Sequence, residues 1–376
     1  EQSLHYIRTV VAHMRQQLYF KAIAGFFLTG NEDGQFYYQI ARDGRLEDGY
    51  SPAALAAFRR WLQARYGTES ELRRCWRQPD VTFAKACPPL PERNRTTGFY
   101  DPSRDMPLID LTRFLNESMG DFANAMCAAA KQEAGKKVLS VMWWGRGASL
   151  MVYPHFAQTA KIFPADSLDL MGAQPGYRGE RHAGSSSFLS WVTDSARIHR
   201  KMMMCEADFR TWTSPVNSLQ HDSVNVRYWS RHDLQGALFR EAGKMFSIGG
   251  GLWWYDMTAG WFKDPAIMED VATIRRIGEK LTARTGVFKP SEMVFISDED
   301  NYYYTTEQLN VWNGPNYQTI RKNQRAILRS GLKFDFYYLS DLVARRMTGY
   351  KVYVFMNTFY LSPEKQQFIE NELKKD

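Results

Sequence analysis

The feature that most constrains this chain is an alternation between two hydrophobic periods. Short apolar runs at 23–28, 138–144, 167–172, 201–206 and 249–256 each stop at polar or turn-forming residues, and stretches of helical spacing at 51–66, 110–134, 185–200 and 223–247 lie between them. A helix over 3–22 precedes the first run, and another over 265–283, opened by Pro265, follows the last. Some helix ends are marked locally. Ser51-Pro52 sets a capping hydroxyl before a proline that fixes the first turn, and Gly67 and Gly135 stand where helices stop. Strand and helix in repetition is the pattern of βα units on a parallel sheet, since parallel neighbours need a crossover connection. The stretch 77–107, rich in Pro, Arg and polar residues, reads as a long functional loop.

After Pro290 the character changes. Strands at 293–296, 332–338 and 350–356, a helix at 315–330 and another starting at Ser362-Pro363 read as a small open doubly wound sheet. The first of these strands is not followed by a glycine-rich phosphate loop, so a nucleotide is not expected there. The expected division is 1–286 as one unit and 287–376 as part of a second.

Composition excludes several function classes. With 376 residues and 44% hydrophobic content the chain can bury a large core. The formal charge of +7 comes from Lys and Arg dispersed among Asp and Glu, and no nucleic-acid signature accompanies it, so nucleic acid is not an expected partner. Cys75, Cys87, Cys127 and Cys205 are widely spaced and read as free thiols, and the seven His form no H-E-x-x-H, so neither metal nor cofactor is required. No apolar run reaches membrane-spanning length, and a membrane is not an expected partner either. Aromatics are plentiful, with 11 Trp and 20 Tyr, many near strand ends, where flat apolar rings suit sugars as well as ordinary cores.

Two carboxylates stand where strands stop. Glu32 follows Phe26-Phe27-Leu28-Thr29-Gly30-Asn31, and Glu206 ends Lys201-Met202-Met203-Met204-Cys205. In a parallel barrel, catalytic groups gather at the carboxyl ends of strands, where the loops build the active face and the strand fixes the side chain. A pair of carboxyl groups there suits glycoside hydrolysis, in which one protonates the leaving oxygen and the other attacks or activates water on the opposite face of the sugar. The competing reading of each is a solvated loop acid.

The pair Asn31-Glu32, the later Glu206 and the segment Phe58-Arg59-Arg60-Trp61-Leu62-Gln63-Ala64-Arg65-Tyr66-Gly67-Thr68 resemble glycoside hydrolase family 42, the β-galactosidase-like members of clan A, over most of the chain. In that clan an Asn-Glu pair ends the fourth barrel strand and the nucleophile ends the seventh. Two runs, ending near Trp144 and Gly172, lie between the two glutamates, as that rule requires. The run ending near Trp254 is then the eighth strand. Only 30 residues precede Asn31, room for one helix and one strand. The resemblance therefore implies an N-terminally truncated fragment: an α/β chain supplying strands four to eight of a (β/α)8 TIM barrel, followed by a partial flavodoxin-like α/β domain.

The same resemblance implies retaining hydrolysis of β-glycosides, most of all β-galactosidase-like. Glu32 is then the acid/base, Glu206 the nucleophile, and Asn31 a donor to the sugar 2-hydroxyl. An aromatic at the end of the eighth strand is expected to stack on the sugar. Side chains alternate along a strand, so only one of Trp253 and Trp254 faces inward, and Trp254 is the expected one. Asp256 is a candidate hydroxyl acceptor, Tyr177 a candidate partner of the nucleophile, and Trp143 or Trp144 a candidate for a further subsite. Arg210 reads as a clamp or as a surface ion pair. A carbohydrate is the expected partner, and family members imply a homo-oligomer. The chain departs from the family in two places: no cysteine cluster follows Glu32, and Asp256-Met257-Thr258-Ala259-Gly260-Trp261-Phe262 lacks the Glu and His arrangement that holds galactose. Other readings are a carbohydrate-binding protein without turnover, and a clan A hydrolase of another, acidic, polysaccharide.

Overall fold

Five strands in chain order form a parallel sheet: β1 (Gly25–Leu28), β2 (Leu139–Trp143), β3 (Leu170–Ala173), β4 (Met202–Ala207) and β5 (Gly251–Trp254). Each pairs with the next in sequence, the connectivity of consecutive units of a βα barrel. The coordinates come from a computed structural model, in which the described residues are 1–30, 34, 36, 49–89, 98–144, 159–176, 180–186, 192–215, 226–257, 259–282, 290–305, 314–345 and 347–375. The helices of this part are α1 (Gln2–Arg15), α2 (Pro52–Tyr66), α3 (Glu69–Trp76), α4 (Pro102–Ala134), α5 (Thr159–Ile162), α6 (Thr193–Ile198), α7 (Arg231–Ser247) and α8 (Pro265–Thr282).

Strand periodicity divides the side chains between two faces. On the helix-covered face Met142, Met171, Met203 and Cys205 pack with Met126 and Ala130 of α4, Phe163, Ala196 of α6 and Met245 of α7 in one continuous core. Further along, Ala207, Leu252 and Trp254 join Leu234, Leu238, Ile267 and Ile274 of α7 and α8. Burial of each large apolar side chain contributes about 1.5–3 kcal/mol, so this face is where the sheet gains most of its stability. The other face is concave and more open. Its rows carry Phe27 at 48%, Leu139 at 45% and Met202 at 41% exposure. It is curled enough that the rings of Phe27 on β1 and Trp253 on β5 lie 6.1 Å apart across it.

A second parallel sheet has the order β7-β6-β8, from β6 (Met293–Ser297), β7 (Asp335–Tyr338) and β8 (Val352–Phe355), with α9 (Lys322–Ser330), α10 (Leu339–Arg345) and α11 (Pro363–Asn371). Its first strand is central, which is the doubly wound arrangement. The two sheets are joined by directed polar contacts. Asp194 and Ser195 of α6 accept the outward N–H groups of Phe336 and Tyr338 at 2.7 and 2.8 Å, capping the free edge of β7. Arg197 donates to the Tyr337 hydroxyl at 3.0 Å, and His199 meets Asp341 at 2.7 Å. Buried Glu180 and Arg321 pair at 2.7 Å, and Arg113 of α4 meets Asp300 at 2.7 Å.

Helix boundaries depart from the sequence reading in several places, among them α1, which ends at Arg15, and α6, which spans only Thr193–Ile198. The long helix α4 starts at Pro102, not near 110, because Asp101 caps it through the Ser103 N–H at 2.8 Å, and it continues through Pro107. Helix α3 falls between the expected helix and the expected loop; it is capped by Thr68 and buries Leu72 and Trp76. Helix α7 starts at Arg231, after Ser230 caps it, rather than at 223.

Candidate active site

Strands β1–β5 contain a single charged side chain, Glu206. A carboxylate inside an otherwise apolar strand has a desolvation cost unless it is hydrogen-bonded or open to water, and Glu206 is only half-buried. Glu206 is the register partner of Trp253, and neighbours in register on parallel strands share a face. Trp253 in turn lies 5.7 Å from Trp143, edge to face. The residue beneath them is Gly172 of β3, where a Cβ would come within 2.9 Å of the Trp143 ring and 3.0 Å of the Trp253 ring. The absence of a side chain at 172 is what lets the two indoles meet over the middle of the sheet. The concave face at its carboxyl edge thus presents Glu206, Trp253 and Trp143 together.

This placement corrects one expectation. Trp254, the indole expected to face the sugar, lies in the helix-side core with its ring 6.1 Å from Phe262, and Trp253 occupies the concave face. Trp143 is on the concave face, whereas Trp144 is fully buried in the core against Phe36 at 6.3 Å. Asp256 is exposed beyond β5 and accepts the Trp261 N–H at 3.0 Å, so its carboxylate closes the loop after the strand. Arg210 is no surface ion pair: it is 1% exposed, with its guanidinium carbon 5.8 Å from the Trp261 ring. Asn31, Glu32 and Tyr177 lie outside the described residues. Around the first two, Gly30 donates its N–H to the Gly34 carbonyl at 2.9 Å, just past the end of β1.

The loops after β3 and β4 are tied together by groups that no sequence period reveals. Asp208 donates its N–H to the Glu206 carbonyl at 3.1 Å, fixing the exit of β4. The fully buried Arg181 grips Asp208 through its carboxylate and, at 3.0 Å, its carbonyl, and donates to the Gly176 carbonyl at 2.7 Å. Tyr228 completes the link by donating to the Arg181 carbonyl. Gly176 lies so close to Glu180 that a Cβ would come within 2.0 Å of the Glu180 carboxylate. Beneath Glu206, burial pushes the Cys205 thiol well above its ordinary range, and burial likewise raises Cys127 to about 12. Both are inert core thiols, and all four cysteines are free. Among the described residues no group of three or more His, Cys, Asp or Glu is placed to hold a metal ion, and no helix is long and apolar enough to cross a membrane.

Solved structures resemble this arrangement. A β-galactosidase from the psychrophilic Marinomonas ef1 superposes with a TM-score of 0.58 at 13% identity, covering 99% of this chain and 57% of its own. The β-galactosidase of Bacillus circulans sp. alkalophilus gives 0.60 at 13% identity, over 98% of this chain and 52% of its own. A GH42 β-galactosidase from G. stearothermophilus gives 0.57 at 13%, over 85% and 47%. The chain shares its fold with these β-galactosidases. It spans about half the length of each, and at this identity the likeness is one of fold. No protein-family model and no curated protein sequence matches the chain. The α/β fold expected from the sequence, with barrel-type strands followed by a second parallel sheet, is the one observed.

Proposed function

We propose that this chain carries the catalytic carboxylates of a retaining β-glycoside hydrolase of the β-galactosidase kind. The observation that supports this most is Glu206: the one charged residue of five strands, on the concave face at the carboxyl edge, beside Trp253. That is where a barrel fold of this type collects reacting groups. Glu206 attacks the anomeric carbon, and a covalent glycosyl-enzyme forms as the bond to the leaving oxygen breaks. Glu32 gives that oxygen its proton, then takes one from water, which displaces Glu206 and releases a sugar of the original configuration. The carboxyl groups of such a pair stand about 5–5.5 Å apart, since one of them must touch carbon directly. Trp253 supplies a flat apolar surface for the ring and Asn31 a donor for its 2-hydroxyl.

The test is hydrolysis of a nitrophenyl β-galactoside, with the first-formed anomer followed by NMR. The expected results are a β product from the parent protein and no turnover in Glu206→Ala. An α product, or undiminished turnover in that variant, would sink the assignment. Sugar binding with no turnover by the parent protein would indicate a binding protein instead.

A further inference from the structure

Trp229 is 68% exposed, the only described tryptophan that is exposed. It precedes Ser230, the cap of α7, in the connection from β4, and so stands on the same carboxyl-end face as Glu206. Its indole is not loose. The guanidinium carbon of Arg227 lies 5.1 Å from the ring, and Arg227 is itself buried and anchored through the Ser214 and Pro215 carbonyls, the latter at 2.9 Å. A cation held against one face orients the ring and directs its exposed area outward. Such an exposed apolar surface has a cost in water, and a ring fixed in advance loses little freedom when something flat covers it.

A chain of contacts connects this ring to the nucleophile. Asp208 bonds the Glu206 carbonyl, Arg181 grips Asp208, Tyr228 donates to Arg181, and the Tyr228 N–H bonds the Arg210 carbonyl at 2.9 Å. Arg210 is four positions beyond Glu206, at most about 14 Å of extended chain. Tyr228, the residue before Trp229, is thus tied to the chain that leaves β4 just after Glu206.

We propose that Trp229 is an outer sugar subsite that takes the apolar face of a pyranose in a β-linked galacto-oligosaccharide, a substrate class that rests on the hydrolase reading above. The occupant is a carbohydrate because the connection that carries Trp229 is also the one that fixes Glu206, and because a single rigid indole matches one sugar ring rather than a protein surface. The subsite favours chains of several sugars over small glycosides.

The experiment compares parent, Trp229→Ala and Trp229→Phe in the intact protein. Calorimetric binding of a β-linked galactotetraose is measured in a Glu206→Gln background, and hydrolysis of the tetraose is measured against that of a nitrophenyl β-galactoside. Trp229→Ala is expected to weaken tetraose binding about tenfold and to lower the ratio of kcat/KM for tetraose over nitrophenyl galactoside by a similar factor, mainly through KM. Trp229→Phe is expected to restore most of both. Equal tetraose binding in parent and Trp229→Ala, or no tetraose binding by the parent, overturns the proposal even if the nitrophenyl galactoside is hydrolysed. Weakened binding without hydrolysis of either substrate upholds the subsite and overturns the hydrolase reading instead.

Discussion

At the residue scale, the concave face depends on a side chain that is missing. Valine at Gly172 would collide with both Trp143 and Trp253, whose rings would stand 2.9 and 3.0 Å from a bare Cβ, already inside van der Waals contact. Gly172→Val is expected to destabilise the fold by about 1–3 kcal/mol, the usual range for overpacking, as read from urea unfolding, and to shift the tryptophan near-UV dichroism. The Arg181–Asp208 pair gives a larger effect: both side chains are almost wholly buried, so Arg181→Met strands a carboxylate without its cation. The expected loss is about 3–5 kcal/mol, with Asp208→Asn milder because the amide still accepts a hydrogen bond. Glu206 was legible in the sequence because a charge closes an apolar run. Choosing between Trp253 and Trp254 was not, since alternation separates the two indoles without saying which parity faces inward. The register with Glu206 supplies that answer. Arg181 escaped notice because its partners lie 5 and 27 residues away, at no helical or strand period.

At the scale of elements, α6 is a short helix whose polar side chains finish a neighbouring sheet. A free strand edge offers unpaired N–H groups to any other strand, and Asp194 and Ser195 occupy those of Phe336 and Tyr338. Burial pushes the Asp194 carboxyl above its ordinary range, while the Phe336 N–H and Arg197 favour its charged form. Ser195→Ala removes the hydroxyl that accepts the buried Tyr338 N–H, at an expected cost of about 1–3 kcal/mol in chemical denaturation and with faster hydrogen exchange at Tyr338. Unchanged exchange there would show that the cap contributes nothing. The alternation of strands and helices was readable because both periods are strong. The start of α4 was obscured by Pro107, whose usual meaning is a helix boundary, and α3 by a composition too polar for its small buried stripe. The contact between α6 and β7 joins residues more than 140 apart, which local pattern cannot reach.

At the scale of the whole molecule, a buried charge cluster links the two sheets and makes stability depend on pH. Lys365 meets Asp298 at 2.6 Å and Asp300 at 2.8 Å, and Arg113 reaches Asp300 from α4. Burial opposes ionisation of Asp300, yet Arg113 and Lys365 outweigh it and hold its carboxyl at about 2. Burial dominates at the adjacent Glu299, which is raised to about 8 despite the attraction of Lys365. The folded state therefore holds a proton on Glu299 that the unfolded chain releases near pH 4.5. Stability from this group is full below that value, declines as pH rises, and is lost once pH passes about 8. Glu299→Gln is expected to flatten that decline in Tm measured from pH 5 to 9, and an identical slope in both proteins would refute the assignment. The open rows of the first sheet have a practical consequence for assays. Phe27, Leu139 and Met202 leave apolar area exposed on the face that also carries Glu206, and surfactant tails are expected to adsorb there. Compact aryl aglycones are therefore better suited than alkyl glycosides to testing the proposed hydrolysis, because an alkyl chain brings apolar binding of its own.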